Sequence, residues 1–293
     1  MQIGYYPGCS QTGTAKEYDK SLRLVMNKLS AGILELNDWS CCGATSAHVT
    51  SHRLSLALSG RNLALAEKQG FKEMLAPCAA CYNRLLISQH ELNNSPKVKA
   101  DIEEIVDCKI KGDTEIINII QLFQKIGKEK ISENIKNDLS ILKAACYYGC
   151  LLVRPHDITH FDDAEEPVSM EELVKTVGAE TVNWNFKTEC CGAAHSVARK
   201  EIVVNLSKKI IEDARTHGAN VIIVACPMCH TNLDMRQRAM KREYKDHSEM
   251  PVLYLPELIG LAMGFDNKQL GIDLHTVKFK FPELVKKSEE ITV

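Results

Sequence analysis

One cysteine pattern occurs twice in this chain of 293 residues, and it limits the possible folds more than any other feature. The first copy reads Cys9, then Cys41-Cys42-Gly43, then Cys78-Ala79-Ala80-Cys81. The second reads Cys150, then Cys190-Cys191-Gly192, then Cys226-Pro227-Met228-Cys229. The flanks repeat as well. Tyr5-Tyr6-Pro7-Gly8 leads into Cys9 and Tyr147-Tyr148-Gly149 into Cys150, and Gly70 and Gly218 each stand eight residues before a CxxC. Joint agreement in cysteines, glycines and aromatics points to a duplicated unit.

The hydrophobic pattern says what that unit is. Thr14 and Glu17 form a candidate capping box for a helix with Tyr18, Leu22, Val25 and Leu29 on its apolar face, which Gly32 would end. A short strand follows at 33–36, a helix at about 51–69, and a strand at 74–76 that enters the first CxxC. In the second copy Ile202, Leu206, Ile210 and Ala214 share a helix face that Gly218 terminates. Val221-Ile222-Ile223-Val224 is then a continuous apolar strand, as expected when both sheet faces are covered. Alternating strands and helices predict an α/β fold of two pseudo-symmetric, small parallel-sheet, Rossmann-like domains. Their cysteines would lie at or beyond strand C-terminal ends, where open α/β sheets hold ligands. The expected division is 1–141 for the first domain with a connector, 142–264 for the second, and 265–293 for a C-terminal tail or partner-docking segment. Residues 95–141 read as charged and irregular apart from a helix around Ile116 to Phe123.

Composition narrows the function. A chain 45% hydrophobic and 25% charged can bury two cores, and a net charge of -2 argues against nucleic acid as the main partner. No segment reads as a signal peptide or a membrane span. The expected location is therefore the cytoplasm. Structural disulfides are uncommon there, so the twelve cysteines suggest metal ligation or redox chemistry.

Each copy offers five cysteines, whereas a structural zinc or an ordinary cubane takes four. Adjacent cysteines in extended chain point to opposite faces, so Cys41-Cys42 reaches two metals of an extended cluster more easily than one ion. Gly43 and Gly192 would let the backbone bend there. A zinc knuckle would leave the fifth cysteine over. Cys108 and Cys146 lie outside the pattern and read as free structural thiols. Cys146 could replace Cys150 as a ligand, but Tyr-Tyr-Gly-Cys matches the first copy at Cys150.

The arrangement of one cysteine, Cys-Cys-Gly and CxxC, present twice, resembles the CCG-domain family, and within it the B subunits of the heterodisulfide reductases of methanogenic archaea. The likeness extends over nearly the whole chain, including Tyr-Tyr-Pro-Gly-Cys at 5–9 and Ala-Lys-Glu-Tyr-Asp at 15–19. It implies two noncubane 4Fe–4S clusters, one on Cys9, Cys41, Cys42, Cys78 and Cys81 and the other on Cys150, Cys190, Cys191, Cys226 and Cys229. It also implies reduction of the coenzyme M–coenzyme B heterodisulfide to two thiols. The chain has no C-x2-C-x2-C-x3-C run, which a membrane-bound relative carries in a fused ferredoxin-like part. The resemblance therefore implies a separate polypeptide of a soluble complex. Its electrons would come from the ferredoxin-like C and flavin-bearing A subunits of a heterodisulfide reductase, within a hydrogenase- or formate dehydrogenase-linked assembly.

Splitting a disulfide takes two electrons. Two clusters facing one substrate would supply them, with the disulfide held between the copies. His48 and His195 follow the Cys-Cys pairs and are candidate proton donors to a leaving thiolate. Arg154, Arg199, Lys200, Lys16 and Arg53 follow cluster cysteines and are candidates for binding the sulfonate, phosphate and carboxylate groups of the substrate. Two alternatives stay open. One is an electron-relay component of a lactate-, glycolate- or succinate-type oxidoreductase; the other is a zinc-stabilised scaffold.

Overall fold

The protein is described by a computed structural model, which covers residues 2–244 and 249–280. Strands β1 (Gln2–Tyr5), β2 (Gly32–Glu35), β3 (Glu73–Leu75) and β4 (Glu115–Ile117) form one four-stranded sheet in the order β2-β1-β3-β4. Strands β5 (Lys143–Tyr147), β6 (Glu180–Thr181), β7 (Val221–Val224) and β8 (Val252–Tyr254) form the other in the order β6-β5-β7-β8. Every pairing is parallel, and the order is the same in both. The α/β reading and the duplication both hold at the level of topology. All four residues of β7 are buried, as parallel strands covered on both faces require.

The helices repeat too. His52–Lys68 and Lys200–Thr216 are each 17 residues long and lead through Gly70 and Gly218 into β3 and β7. Ser51 caps the first of them, its hydroxyl accepting from the Leu54 N–H at 3.2 Å.

Four local expectations differ from the fold. The first long helix runs Lys16–Lys28 with Ala15 at its N-cap, so Thr14 lies one residue too early to cap it. Its end is made by Ser30 in the left-handed region (φ 48°), while Gly32 is already the first residue of β2. The stretch from Ile116 divides into β4 and a helix Ile119–Ile126, because Asn118 caps the helix by accepting from Ile120 N–H at 2.9 Å and Gln121 N–H at 3.0 Å. Residues 96–106, read as irregular, instead form a further helix with proline in its first turn, and Val98, Ile102 and Val106 recur along it at helical spacing against the core.

Equivalent helices of the two halves pack reciprocally across the junction. Lys16–Lys28 packs on Leu255–Ala262, and Ser169–Thr176 packs on Ile119–Ile126. At the first junction Tyr18 stacks on Tyr254 with ring centroids 4.2 Å apart, and its hydroxyl donates to the Ala225 carbonyl at 3.1 Å. Residues 265–280 fold back onto the protein and bury Leu270, Ile272 and His275. The remainder of the expected tail, 281–293, lies outside the described residues. Among the described residues no helix is long and apolar enough to cross a membrane.

Candidate metal centre

All ten patterned cysteines sit at the C-terminal ends of parallel strands. Cys9 lies on the short helix Gly8–Thr12 after β1, and Cys150 opens the helix Cys150–Val153 after β5. Cys41-Cys42 and Cys190-Cys191 lie in the irregular segments after β2 and β6. Cys78 and Cys226 cap the helices Ala79–Asn94 and Pro227–Met235 after β3 and β7, and Cys81 and Cys229 fall one turn inside them. The duplication thus brings five thiols to one edge of each sheet.

Within each half the sulfurs lie side by side. Cys42 Sγ is 3.2 Å from Cys81 Sγ, and Cys191 Sγ is 3.7 Å from Cys229 Sγ. Cys9 touches Cys41, and Cys150 touches Cys190. Across the junction Cys78 touches Cys226. Backbone N–H groups aim at several of these sulfurs: Gly43 at Cys41 (3.4 Å) and Gly192 at Cys190 (3.3 Å). Hydrogen bonds from neighbouring thiols, Cys42 first, hold Cys41 below the ordinary thiol range. Cys150 does the same for Cys190, and Cys229 and Cys78 for Cys226. Donor thiols such as Cys9 and Cys150 move up correspondingly.

A cavity between the halves is walled by all five cysteines of the second copy, with Ala79 and Ala80 of the first half and Met228. Thiols lined up in mutual contact, with N–H groups pointing at them, fit a group of several metal atoms. Among the described residues no group of three or more histidine, cysteine or carboxylate side chains is already arranged around a metal-ion position.

The remaining candidates scatter. His195 is exposed, yet close enough to Cys190 for its positive form to favour the thiolate. His48 is exposed on the helix Ala47–Thr50. Arg154 stays beside the second site, donating to Thr188 Oγ1 at 3.1 Å and pairing with Glu165. Arg199 pairs with Glu201, and Arg53 pairs with Asp101 at 2.6 Å. Lys16 and Lys200 are exposed. Cys146 lies inside β5, fully buried and away from the thiol row, and Cys108 is half-buried after the helix Pro96–Val106.

Two kinds of supporting residue escape a reading of cysteines alone. Tyr6 and Tyr147 donate to backbone carbonyls at the Cys-Cys segments. Counting back from Cys9 and Cys150 pairs these two tyrosines and sets Pro7 opposite Tyr148, so the doubled Tyr-Tyr motif is offset by one. Ser59 Oγ donates to the Cys42 carbonyl at 3.1 Å, and Asn232 Nδ2 to the Cys191 carbonyl at the same distance.

Residues 3–86 and 144–234 match the CCG cysteine-rich domain family. The chain belongs to that family. It is 31% identical over 284 residues, 94% of each chain, to the B subunit of the ferredoxin/F(420)H(2)-dependent CoB-CoM heterodisulfide reductase of Methanosarcina acetivorans. It is 32% identical over 285 residues, again 94% of each, to the B subunit of the ferredoxin:CoB-CoM heterodisulfide reductase of Methanosarcina mazei. A third relative is the 8-methylmenaquinol:fumarate reductase membrane anchor subunit of Wolinella succinogenes, 29% identical over 94% of this chain and 97% of that one. A crystal structure of a hypothetical protein from Helicobacter pylori superposes with a TM-score of 0.72 at 16% identity, over 96% of this chain. The CCG chain spans about half of that protein (53%), and the likeness concerns the fold alone.

Proposed function

We propose that this CCG protein carries two iron–sulfur clusters, one per half, and reduces the coenzyme M–coenzyme B heterodisulfide to its two thiols. The observation behind this reading is the junction. Two equivalent five-thiol sites do not sit at remote ends of the molecule but meet where Cys78 touches Cys226. Cys9, Cys41, Cys42, Cys78 and Cys81 would hold the first cluster, and Cys150, Cys190, Cys191, Cys226 and Cys229 the second. Five ligands per site favour a noncubane form, since a cubane takes four. When bound, the clusters would supply the two electrons that reductive cleavage of a disulfide takes. His195, beside Cys190, is the better placed of the two histidines to give a proton to a departing thiolate, and Arg154 to hold an anionic group of the substrate. The flavin-bearing A and ferredoxin-like C subunits of a heterodisulfide reductase complex would deliver the electrons, in the cytoplasm.

Kinship with the fumarate reductase protein favours one second reading, in which the chain relays electrons and the chemistry happens on another polypeptide. Metal analysis comes first. Anaerobically purified protein is expected to hold about eight irons per chain with matching acid-labile sulfide; stoichiometric zinc with little iron would end the cluster reading. Iron-loaded protein that oxidises a reduced dye with the heterodisulfide supports the reductase. Iron-loaded protein inert to the disulfide under the same conditions leaves the relay.

A further inference from the structure

We propose that Tyr6 and Tyr147 are the positioning residues of the two thiol sites, each latching its Cys-Cys turn to the end of the central strand. The latch is a property of the polypeptide; its consequence for metal rests on the cluster reading above.

The Cys-Cys turns need such a device. Neither Ser40–Cys42 nor Glu189–Cys191 belongs to a helix or strand, so no backbone ladder fixes them. The tyrosines reach them from the C-terminal ends of β1 and β5, inner strands that are paired on both sides. Tyr6 Oη donates to the carbonyl of Ser40 at 2.8 Å, and Tyr147 Oη to the carbonyl of Glu189 at 2.6 Å. Each acceptor immediately precedes its Cys-Cys pair. Both rings are fully buried.

The ring also stands near the other end of the site, across the space that a glycine leaves open. A Cβ built on Gly8 would lie 3.3 Å from Tyr6 Cε1 and 3.2 Å from Cys81 Sγ; one on Gly149 would lie 3.5 Å from Tyr147 Cε1 and 3.1 Å from Cys229 Sγ. One side chain therefore lies on the far side of that glycine from the CxxC sulfur while its hydroxyl holds the Cys-Cys turn. It sets the distance between ligands that are more than thirty residues apart in sequence. The same constellation occurs in both halves, at positions that the doubled Tyr-Tyr motif would misalign.

The two latches differ in one respect, which makes them testable against each other. Ser40 has a second donor, Asn62 Nδ2 at 2.9 Å. Among the described residues no second donor is seen at the Glu189 carbonyl. The second turn thus depends more on its tyrosine than the first.

The test replaces the hydroxyl and keeps the ring, with Tyr6→Phe and Tyr147→Phe in the full chain. Amide hydrogen exchange is read without metal, and iron release to a chelator is read after cluster loading. A neutral hydrogen bond of ordinary strength corresponds to a factor of about two to ten. In Tyr147→Phe, exchange at 190–192 is expected to rise by about three- to tenfold while 41–43 stay unchanged, and the second cluster is expected to release iron faster by a similar factor. Tyr6→Phe is expected to act only on the first site and more weakly, by about two- to threefold, and it is the variant that remains if Tyr147→Phe fails to fold. Unchanged exchange in the turns, or a rise spread evenly over the chain, would overturn the latch. Faster exchange with wild-type iron release would overturn its role in the metal site. If the wild type itself takes up no iron, the cluster reading falls, and the exchange measurement alone decides the latch.

Discussion

Cys78 and Cys226 are side-chain neighbours where the two halves join, each at the N-cap position of a helix that follows an inner strand. The Ala79 N–H of the first half also serves the Cys226 sulfur. Cys9, by contrast, is exposed, and its hydrogen-bonded neighbour is Cys41 of its own half. Cys78→Ser is therefore expected to cost the first site its iron and also to alter the spectrum of the second. Cys9→Ser is expected to affect only the first. Iron per chain with spectra of both variants checks this, and an unaltered second spectrum in Cys78→Ser would show the two sites to be independent.

Gly149 is held at φ 67° with Cys229 Sγ 3.1 Å from where a Cβ would stand. Gly218 is also left-handed, at φ 86°, but has open space around its missing Cβ. Left-handed backbone alone costs an L-residue about 1–2 kcal/mol. Both alanine variants are expected to lose about that much stability in denaturant titrations. Only Gly149→Ala is expected also to lose iron from the second site. Equal iron loading in the two variants would show that the crowding at Cys229 does not matter.

The sequence made much of this legible for a physical reason. A parallel sheet must send its strand ends to one edge, so ligands written after successive strands converge there whatever the loop lengths. The repeat therefore forecast both the fold and the gathering of ten thiols. It could not forecast which tyrosine of each Tyr-Tyr pair matters, because Pro7 stands opposite Tyr148 and shifts the motif by one. Nor could it show that residues 265–280 return to the core. Their anchor is His275, whose partner Glu257 lies on another helix and is invisible to local periodicity.

That anchor predicts a pH dependence. His275 Nε2 lies 3.0 Å from Glu257 Oε1, with both side chains buried. Burial works against the imidazolium, but Glu257, Asp234 and Glu17 outweigh it and hold the His275 pKa above its ordinary value. Burial likewise raises Glu257. His230, stacked between Tyr254 and His275, is pushed down by burial and by His275. A raised pKa means that the folded state keeps a proton that the unfolded chain releases. The His275 contribution is thus complete below about pH 6.5 and is lost as pH climbs through the folded value. His230 acts in the opposite sense, costing stability as pH falls below about 6.5. Thermal unfolding between about pH 5 and 9 is expected to show a decline on the alkaline side that His275→Gln removes and a decline on the acid side that it leaves. An alkaline limb that persists in His275→Gln would assign it to other groups.

The last prediction separates the reductase from the relay. Cys42 and Cys191 hold equivalent places, both buried and each against the second cysteine of its CxxC, at 3.2 Å and 3.7 Å. Serine is a poorer, harder ligand for iron than thiolate, so Cys42→Ser should damage the first site and Cys191→Ser the second. If both sites serve one disulfide, each variant is expected to lose heterodisulfide reduction by more than about a hundredfold, a loss of roughly 3 kcal/mol in transition-state stabilisation. The untouched cluster should meanwhile keep its spectrum. In a relay the losses follow the direction of electron flow, and the site farther from the acceptor becomes dispensable once an artificial donor feeds the other. The deciding assay is disulfide reduction with such a donor in each single variant, after iron analysis has established that one cluster survives. Near-normal turnover with either site destroyed would exclude joint use of the two sites. Loss in both variants, with the surviving cluster still reducible by the donor, would leave no route for a wire and would place the chemistry at the junction of Cys78 and Cys226.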